Sequence, residues 1–172
     1  MLVDTPLKVI KELGTGGFGS VFHVAGSHVE FTMKVPLLEK LEKDIISGNI
    51  FSSIDYIKRI RQEVKALIML DYHPNIIFPL YIDFVNDMPR IYMEYMENGS
   101  LRKLIRKEIK DITLILSLAI QILDGLSHIH KFNFIHRDIK PENVLISRPL
   151  TRENIERKNV NLIAKISDFS LV

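Results

Sequence analysis

Asp138, Lys140 and Asn143 lie within six positions of one another in the string His136-Arg137-Asp138-Ile139-Lys140-Pro141-Glu142-Asn143. A carboxylate, a cation and an amide this close suit one chemistry. The carboxylate can receive a proton from an acceptor hydroxyl, the cation can steady a moving phosphoryl group, and the amide oxygen can hold a metal. Phosphoryl transfer from ATP needs all three. Asp168 ends a short apolar run and offers a second oxygen for magnesium. Singly, each residue has a plainer reading: a turn-capping carboxylate, a loop amide, a core histidine (His136), a surface arginine (Arg137), a polar tail residue. Jointly, between an apolar helix and the strand Val144-Leu145-Ile146, they are hard to dismiss.

Two more features could serve the same chemistry. Gly14-Thr15-Gly16-Gly17-Phe18-Gly19-Ser20-Val21 has the spacing G-x-G-x-x-G-x-V. Glycines let backbone N–H groups approach a phosphate without side-chain clash. A helix should follow the glycines of a dinucleotide site, whereas Val21, Phe22 and Val24 are strand-forming. Ser20 after Gly19 excludes a Walker A loop. A plain hairpin turn with spare glycines remains open for this segment alone. Lys34 sits between Met33 and Val35 in a strand, where a lysine usually faces solvent. Glu63 shares a helix face with Ile60 and Leu67. A carboxylate on an apolar face needs a partner, and Lys34 can supply one.

The elements that must position these residues follow from periodicity. Three short strands are expected over residues 7–35, with a turn at Ala25-Gly26-Ser27. Residues 36–55, with charges from Glu39 to Asp44 and the polar run Ser47-Gly48-Asn49, read as an insertion or mobile loop. A helix follows from about Tyr56 to Leu70, capped by Ser53 or Asp55 and broken at His73-Pro74-Asn75. Strands near 77–84 and 90–93 flank the turn Asn86-Asp87-Met88-Pro89. Glu97-Asn98-Gly99 is a linker, and Ser100 can cap a short helix. An apolar helix over 113–130 should be buried on more than one side. Beyond the 136–143 loop come a strand at 144–146, a polar insertion at 147–161 and a strand near 163–167. The resulting organisation is 1–93, a linker at 94–100, and 101–172.

Composition bounds the class. The chain has 172 residues, 47% hydrophobic and 26% charged, with a formal net charge of +2 and no cysteine. The charge is too small to argue for nucleic acid or an anionic membrane. Disulfides and thiolate metal sites are excluded. The apolar stretch around Leu114–Leu123 is interrupted by Ser117 and Gln121 and reads as too short to span a bilayer. The N-terminus has no signal-peptide pattern. The expectation is a soluble, intracellular (cytoplasmic) protein, with no nucleic-acid and no membrane partner.

The ordered motifs, from the glycine loop to Asp168-Phe169-Ser170, resemble the first part of a eukaryotic protein kinase domain, and the match covers nearly the whole chain. The resemblance implies an α+β fold, with a β-rich N-lobe carrying one helix and a mainly helical, incomplete C-lobe. It implies an ATP- and Mg2+-dependent enzyme acting on a serine or threonine hydroxyl of a protein substrate, since the Lys140-Pro141-Glu142-Asn143 wording is similar to that of serine/threonine kinases. By that resemblance Gly14, Gly16 and Gly19 would cover the phosphates. Lys34 would bind the α- and β-phosphates and pair with Glu63. Asp138 would be the catalytic base, with Lys140 near the γ-phosphate. Asn143 and Asp168 would hold magnesium. Met93 would be the gatekeeper, Glu94 and Met96 would offer backbone groups to adenine, and Val21 and Leu145 would sandwich its ring.

The chain also departs from the pattern. Thr32 replaces the usual alanine two residues before the lysine and brings a hydroxyl near adenine. Ser170 replaces the glycine after Phe169, which should make the Asp168 loop less mobile. The stretches Lys34–Glu63 and Asp138–Asp168 are both longer than the family's. The family's activation segment, APE motif and later helices are not in the sequence. The apolar helix would therefore lose a neighbour, leaving a patch that a partner could cover. The alternative expectation is a catalytically inactive nucleotide-binding or interaction module.

Overall fold

The computed structural model describes residues 7–17, 19–106, 111–147 and 162–172. The chain divides into two compact units, Met1–Ile68 with Pro79–Tyr95, and Met69–Phe78 with Met96–Val172.

The first unit is a five-stranded sheet with two helices. Its strands are β1 (Lys8–Gly16), β2 (Gly19–Ala25), β3 (Glu30–Val35), β4 (Pro79–Val85) and β5 (Met88–Glu94), ordered β1-β2-β3-β5-β4 with every pair antiparallel. The turn between β4 and β5 is tighter than expected. Only Asn86 and Asp87 form it, both at positive φ (50° and 59°), and Met88-Pro89 already belong to β5. Two left-handed residues match the twist of a hairpin, and asparagine and aspartate tolerate that conformation best after glycine.

Residues 36–55 are not a loop. α1 spans Leu38–Ile46 and α2 spans Ile50–Met69. The polar run that read as a loop is a stop signal followed by a start signal. Gly48 takes φ +75°, Gly48 N–H donates to Ile45 O, and Asn49 N–H donates to Asp44 O. That is the glycine C-terminal motif of a helix. Asn49 Oδ1 then accepts from Ser52 N–H, so Asn49 starts α2 in place of Ser53 or Asp55. Ser53 is buried inside α2. The face that α2 buries carries Tyr56, Ile60, Glu63 and Leu67, the i, i+4, i+7, i+11 spacing of one helix side.

The second unit is built around α4 (Ile112–Lys131), with the short helix α3 (Leu101–Ile105) and the hairpin of β6 (Val144–Ser147) and β7 (Ile163–Ile166). Asp111 caps α4 by accepting from Thr113 and Leu114 N–H. Asn133 at φ +60° closes it, with Asn133 N–H on His130 O and Phe134 N–H on Ile129 O. Ser100 precedes α3 but makes no side-chain cap bond. Leu118, Val144, Ile146 and Ala164 form the core, flanked by Leu101, Leu104 and Ile122.

α4 is not buried on several sides. Leu118, Gly125 and Ile129 are buried, whereas Ile112, Ile115, Leu116, Ile120 and Leu123 are exposed. By length and composition it is long and apolar enough to cross a membrane, contrary to the shorter apolar stretch expected from the sequence. Its inner face is nevertheless specifically joined to protein. Gln121 accepts from Asn75 Nδ2 and Ala164 N–H and donates to Leu162 O. A Cβ at Gly125 would stand 2.8 Å from Asn75 O, so only glycine allows that approach. The expected insertion at 147–161 begins with Ser147, which ends β6; residues 148–161 lie outside the described residues.

Candidate active site

In the first unit, Lys34 on β3 pairs in register with Val21 on β2 and Ile91 on β5. Its Nζ donates to Glu63 Oε1 of α2 at 2.5 Å. The side chains are 12% and 7% exposed, so the two charges are withdrawn from water together. A buried charge tolerates that only when it is paired. Tyr56, on the same face of α2, accepts from Leu37 N–H and joins the helix to the chain leaving β3. Burial pushes the Tyr56 hydroxyl above the usual tyrosine range.

The glycines differ sharply. Gly16 and Gly19 are cross-strand partners at the tip of the β1–β2 hairpin. Gly19 has φ +151°, and a Cβ there would meet Val35 O at 2.5 Å. The fold itself therefore demands glycine at 19. A Cβ at Gly14, Gly16 or Gly17 would meet nothing within 4 Å. Phe18 lies outside the described residues.

Val21, Thr32, Met93 and Glu94 also belong to this sheet. Thr32 is buried and pairs with Met93, while Glu94 pairs with Phe31. His23 and Tyr95, which the sequence reading passed over, lie alongside: their rings stack 3.8 Å apart at 3°. Nothing in the sequence marks that contact, because it depends on which β2 residue faces the end of β5.

In the second unit, the 136–143 loop is held by its own hydrogen bonds. Asp138 Oδ2 accepts from Lys140 Nζ at 2.6 Å and from Asn143 Nδ2 at 2.9 Å. Asn143 Nδ2 also donates to the Asp138 carbonyl at 2.9 Å. Pro141–Asn143 forms a 3₁₀ turn that folds the amide back onto the carboxylate. The bond to Asp138 raises the Lys140 ammonium above the ordinary lysine range, while Arg102 lowers the Glu142 carboxyl beside it.

His136 is the scaffold beneath. It is buried, its Nδ1 accepts from Asp138 N–H at 3.3 Å, and its Nε2 lies 3.0 Å from the Ser167 carbonyl. A carbonyl only accepts, so the proton sits on Nε2. Burial lowers the imidazole pKa below the ordinary histidine value, which agrees with this neutral form. Ser167 is tied a second time, its N–H and Oγ both donating to Asn143 O. Asp168 follows at φ +67°. Phe169, fully buried, meets His136 edge-on at 5.1 Å. Thus Asp138, Lys140, Asn143 and Asp168 are brought together around one histidine. The left-handed residue is Asp168, and Ser170 is not among the positive-φ positions. The serine therefore fits the observed backbone.

Leu145 lies on β6, and its neighbour Ile146 donates its N–H to Gly99 O. Met96 is buried at the start of the second unit's longer segment. Among the described residues no group of three His, Cys, Asp or Glu side chains is arranged for a metal.

Residues 7–172 match the family described as the protein kinase domain. The chain is 34% identical over 163 residues to an Aurora kinase of Saccharomyces cerevisiae, covering 92% of this chain and 38% of that protein. It is 38% identical over 142 residues to an Aurora kinase of Candida glabrata, covering 81% and 37%. Mitogen-activated protein kinase kinase kinase 5 of Arabidopsis thaliana is 33% identical over 163 residues, covering 94% and 20%. The chain thus spans under two fifths of the length of these relatives. A matched domain running from the glycine hairpin through the Asp138 loop to the C-terminal residue, on an antiparallel sheet with its two helices, places the chain in the protein kinase domain family.

Proposed function

We propose that this chain carries the ATP-binding and phosphoryl-transfer residues of an ATP- and magnesium-dependent kinase acting on serine or threonine hydroxyls of proteins. The observation that carries this reading is the closed network around Asp138. Its Oδ2 is held by Lys140 and Asn143, which leaves Oδ1 as the oxygen available to accept a hydroxyl proton. A base held in one orientation before substrate arrives needs no reorganisation at the moment of reaction. Lys140 is exposed enough to reach a transferring phosphoryl group.

Asn143 uses Nδ2 for both of its side-chain bonds, which leaves its Oδ1 as a hard oxygen donor, and Asp168, next in the chain to the Ser167 that bonds Asn143 O, is assigned as the second. Two such oxygens suit magnesium, which takes its remaining ligands from phosphate and water. When bound, magnesium supplies charge neutralisation on the phosphates. In the first unit, Lys34, oriented by Glu63, is assigned to the α- and β-phosphates. The open space above Gly14 and Gly16 suits backbone approach to phosphate, since the fold gives no other reason for glycine there. Val21, Thr32, Met93, Glu94, Met96 and Leu145 are assigned to adenine.

The test is direct. Saturating MgATP at a hundredfold excess over Kd should stabilise the full chain by about 2.7 kcal/mol. Radiolabelled ATP should yield phosphoserine or phosphothreonine in a mixed-sequence peptide substrate. Stabilisation without product would favour a nucleotide-binding module. A melting curve unmoved by MgATP would overturn the reading altogether.

A further inference from the structure

A cross-strand row, His23–Thr32–Met93, runs through β2, β3 and β5. It lies two residues along from the row Val21–Lys34–Ile91. Side chains alternate along a strand, so both rows share one face of the sheet. His23 therefore lies on the face assigned above to the nucleotide, at a position that no motif marks.

Its surroundings are unusual for a strand residue. His23 is only 7% exposed. Its Nε2 lies 3.0 Å from Glu30 Oε2, and since a carboxylate only accepts, Nε2 carries the proton. Its Nδ1 is then a buried acceptor with no partner among the described residues. Leaving such an atom unpaired is costly. A leucine would fill a strand position without that cost. What histidine adds is a flat ring whose plane Glu30 orients, and Tyr95 lies on that ring at 3.8 Å and 3°.

We propose that His23 is a positioning residue for adenine. Through the Tyr95 ring it fixes the main chain at Glu94 and Tyr95, where β5 ends. The hydrogen-bond partner Glu30 sets the orientation of the imidazole, and the imidazole sets the tyrosine. This inference rests on the nucleotide-binding reading above, because it names what holds the adenine-facing backbone in place.

The experiment compares adenosine with inorganic triphosphate, each titrated calorimetrically into the full chain. Adenosine reports on the backbone at Glu94, and triphosphate reports on the glycines and Lys34. His23→Ala should weaken adenosine up to about tenfold, the scale of one lost ring stack, and leave triphosphate affinity unchanged. His23→Phe keeps a ring under Tyr95 and should recover most of the loss. Unchanged adenosine affinity in His23→Ala would overturn the proposal. So would a parallel loss of both ligands, which a merely structural role predicts. Should His23→Ala fail to fold, Tyr95→Ala removes the same stack from its other side, with the same outcomes deciding. If the unsubstituted chain binds neither ligand, the proposed function falls and this inference falls with it. If it binds adenosine and the variants do too, this inference falls alone.

Discussion

The Lys34–Glu63 pair and the Asp138 loop are both charge clusters, yet they are built in opposite ways. Lys34 and Glu63 are 29 positions apart, come from a strand and a helix, and are almost wholly withdrawn from water. Asp138, Lys140 and Asn143 come from one short loop, and the Asp138 and Lys140 side chains are 28% and 47% exposed. The first cluster exists only if α2 packs on the sheet in one register. The second is closed by hydrogen bonds between near neighbours over the loop's own buried histidine, and what it takes from the rest of the unit is the Ser167 carbonyl and the Phe169 ring against that histidine. A buried long-range pair should therefore matter to stability as well as to ligand binding. An exposed local cluster should matter to chemistry far more than to stability.

Substitutions in each cluster sharpen or break this contrast. Asp138→Asn removes the proton acceptor, and we expect turnover to fall by about a thousandfold or more, the range of a lost general base. Denaturant midpoint and ATP affinity should barely change. If stability collapses with activity in parallel assays, the loop is not the self-contained cluster described here. Glu63→Ala should behave differently. It breaks a buried ion pair by removing one member, which costs on the order of 3–5 kcal/mol. Urea unfolding should show that loss directly, and Lys34→Met in the same background should restore part of it. A loss below about 1 kcal/mol would mean that the pair is effectively solvated.

The glycines offer a comparison within one hairpin. Gly19→Ala drives a methyl group into the Val35 carbonyl at a positive φ and should destabilise by roughly 1–3 kcal/mol. Gly16→Ala meets open space and should change stability by less than about 0.5 kcal/mol, while weakening triphosphate binding. Thermal melts of both variants, with and without MgATP, separate the two effects. Equal destabilisation would contradict the open space at Gly16.

The smallest expected effect is with pH. Burial lowers the folded-state pKa of His136, and of His73, whose neighbour His128 adds to the shift. The unfolded chain then takes up protons first. The stability these neutral rings contribute is complete above the ordinary histidine pKa of about 6.5. It declines as pH falls below that value. Urea midpoints at pH 7.5, 6.5 and 5.5 should fall in order, and less steeply in His136→Phe. A flat profile would mean that His136 is not held neutral by burial.

Much of this was legible because the signals are local. Asp138, Lys140 and Asn143 announce their chemistry by spacing, and the Val144–Ile146 strand by composition. Glu63 was legible for a subtler reason: a carboxylate in phase with Ile60 and Leu67 must have a partner. The α1–α2 corner was misread because Ser47-Gly48-Asn49 carries the composition of a loop. Its glycine and asparagine in fact stop one helix and start the next. The burial of α4 was misread because apolar composition states what a helix can bury, whereas neighbours decide what it does bury. His23 was invisible, since a lone histidine in a strand carries no spacing to read.

The sequence by itself determined the family, the loop chemistry and the need for a Lys34 partner, because spacing and phase are properties of the chain. Only the tertiary structure decided that Gly19 is glycine for the fold while Gly16 is not. It alone set the His136 proton on Nε2 and laid Tyr95 flat on His23. Each of these depends on which atoms approach across long separations in sequence, and steric contact, hydrogen-bond direction and burial are fixed only once those approaches are made.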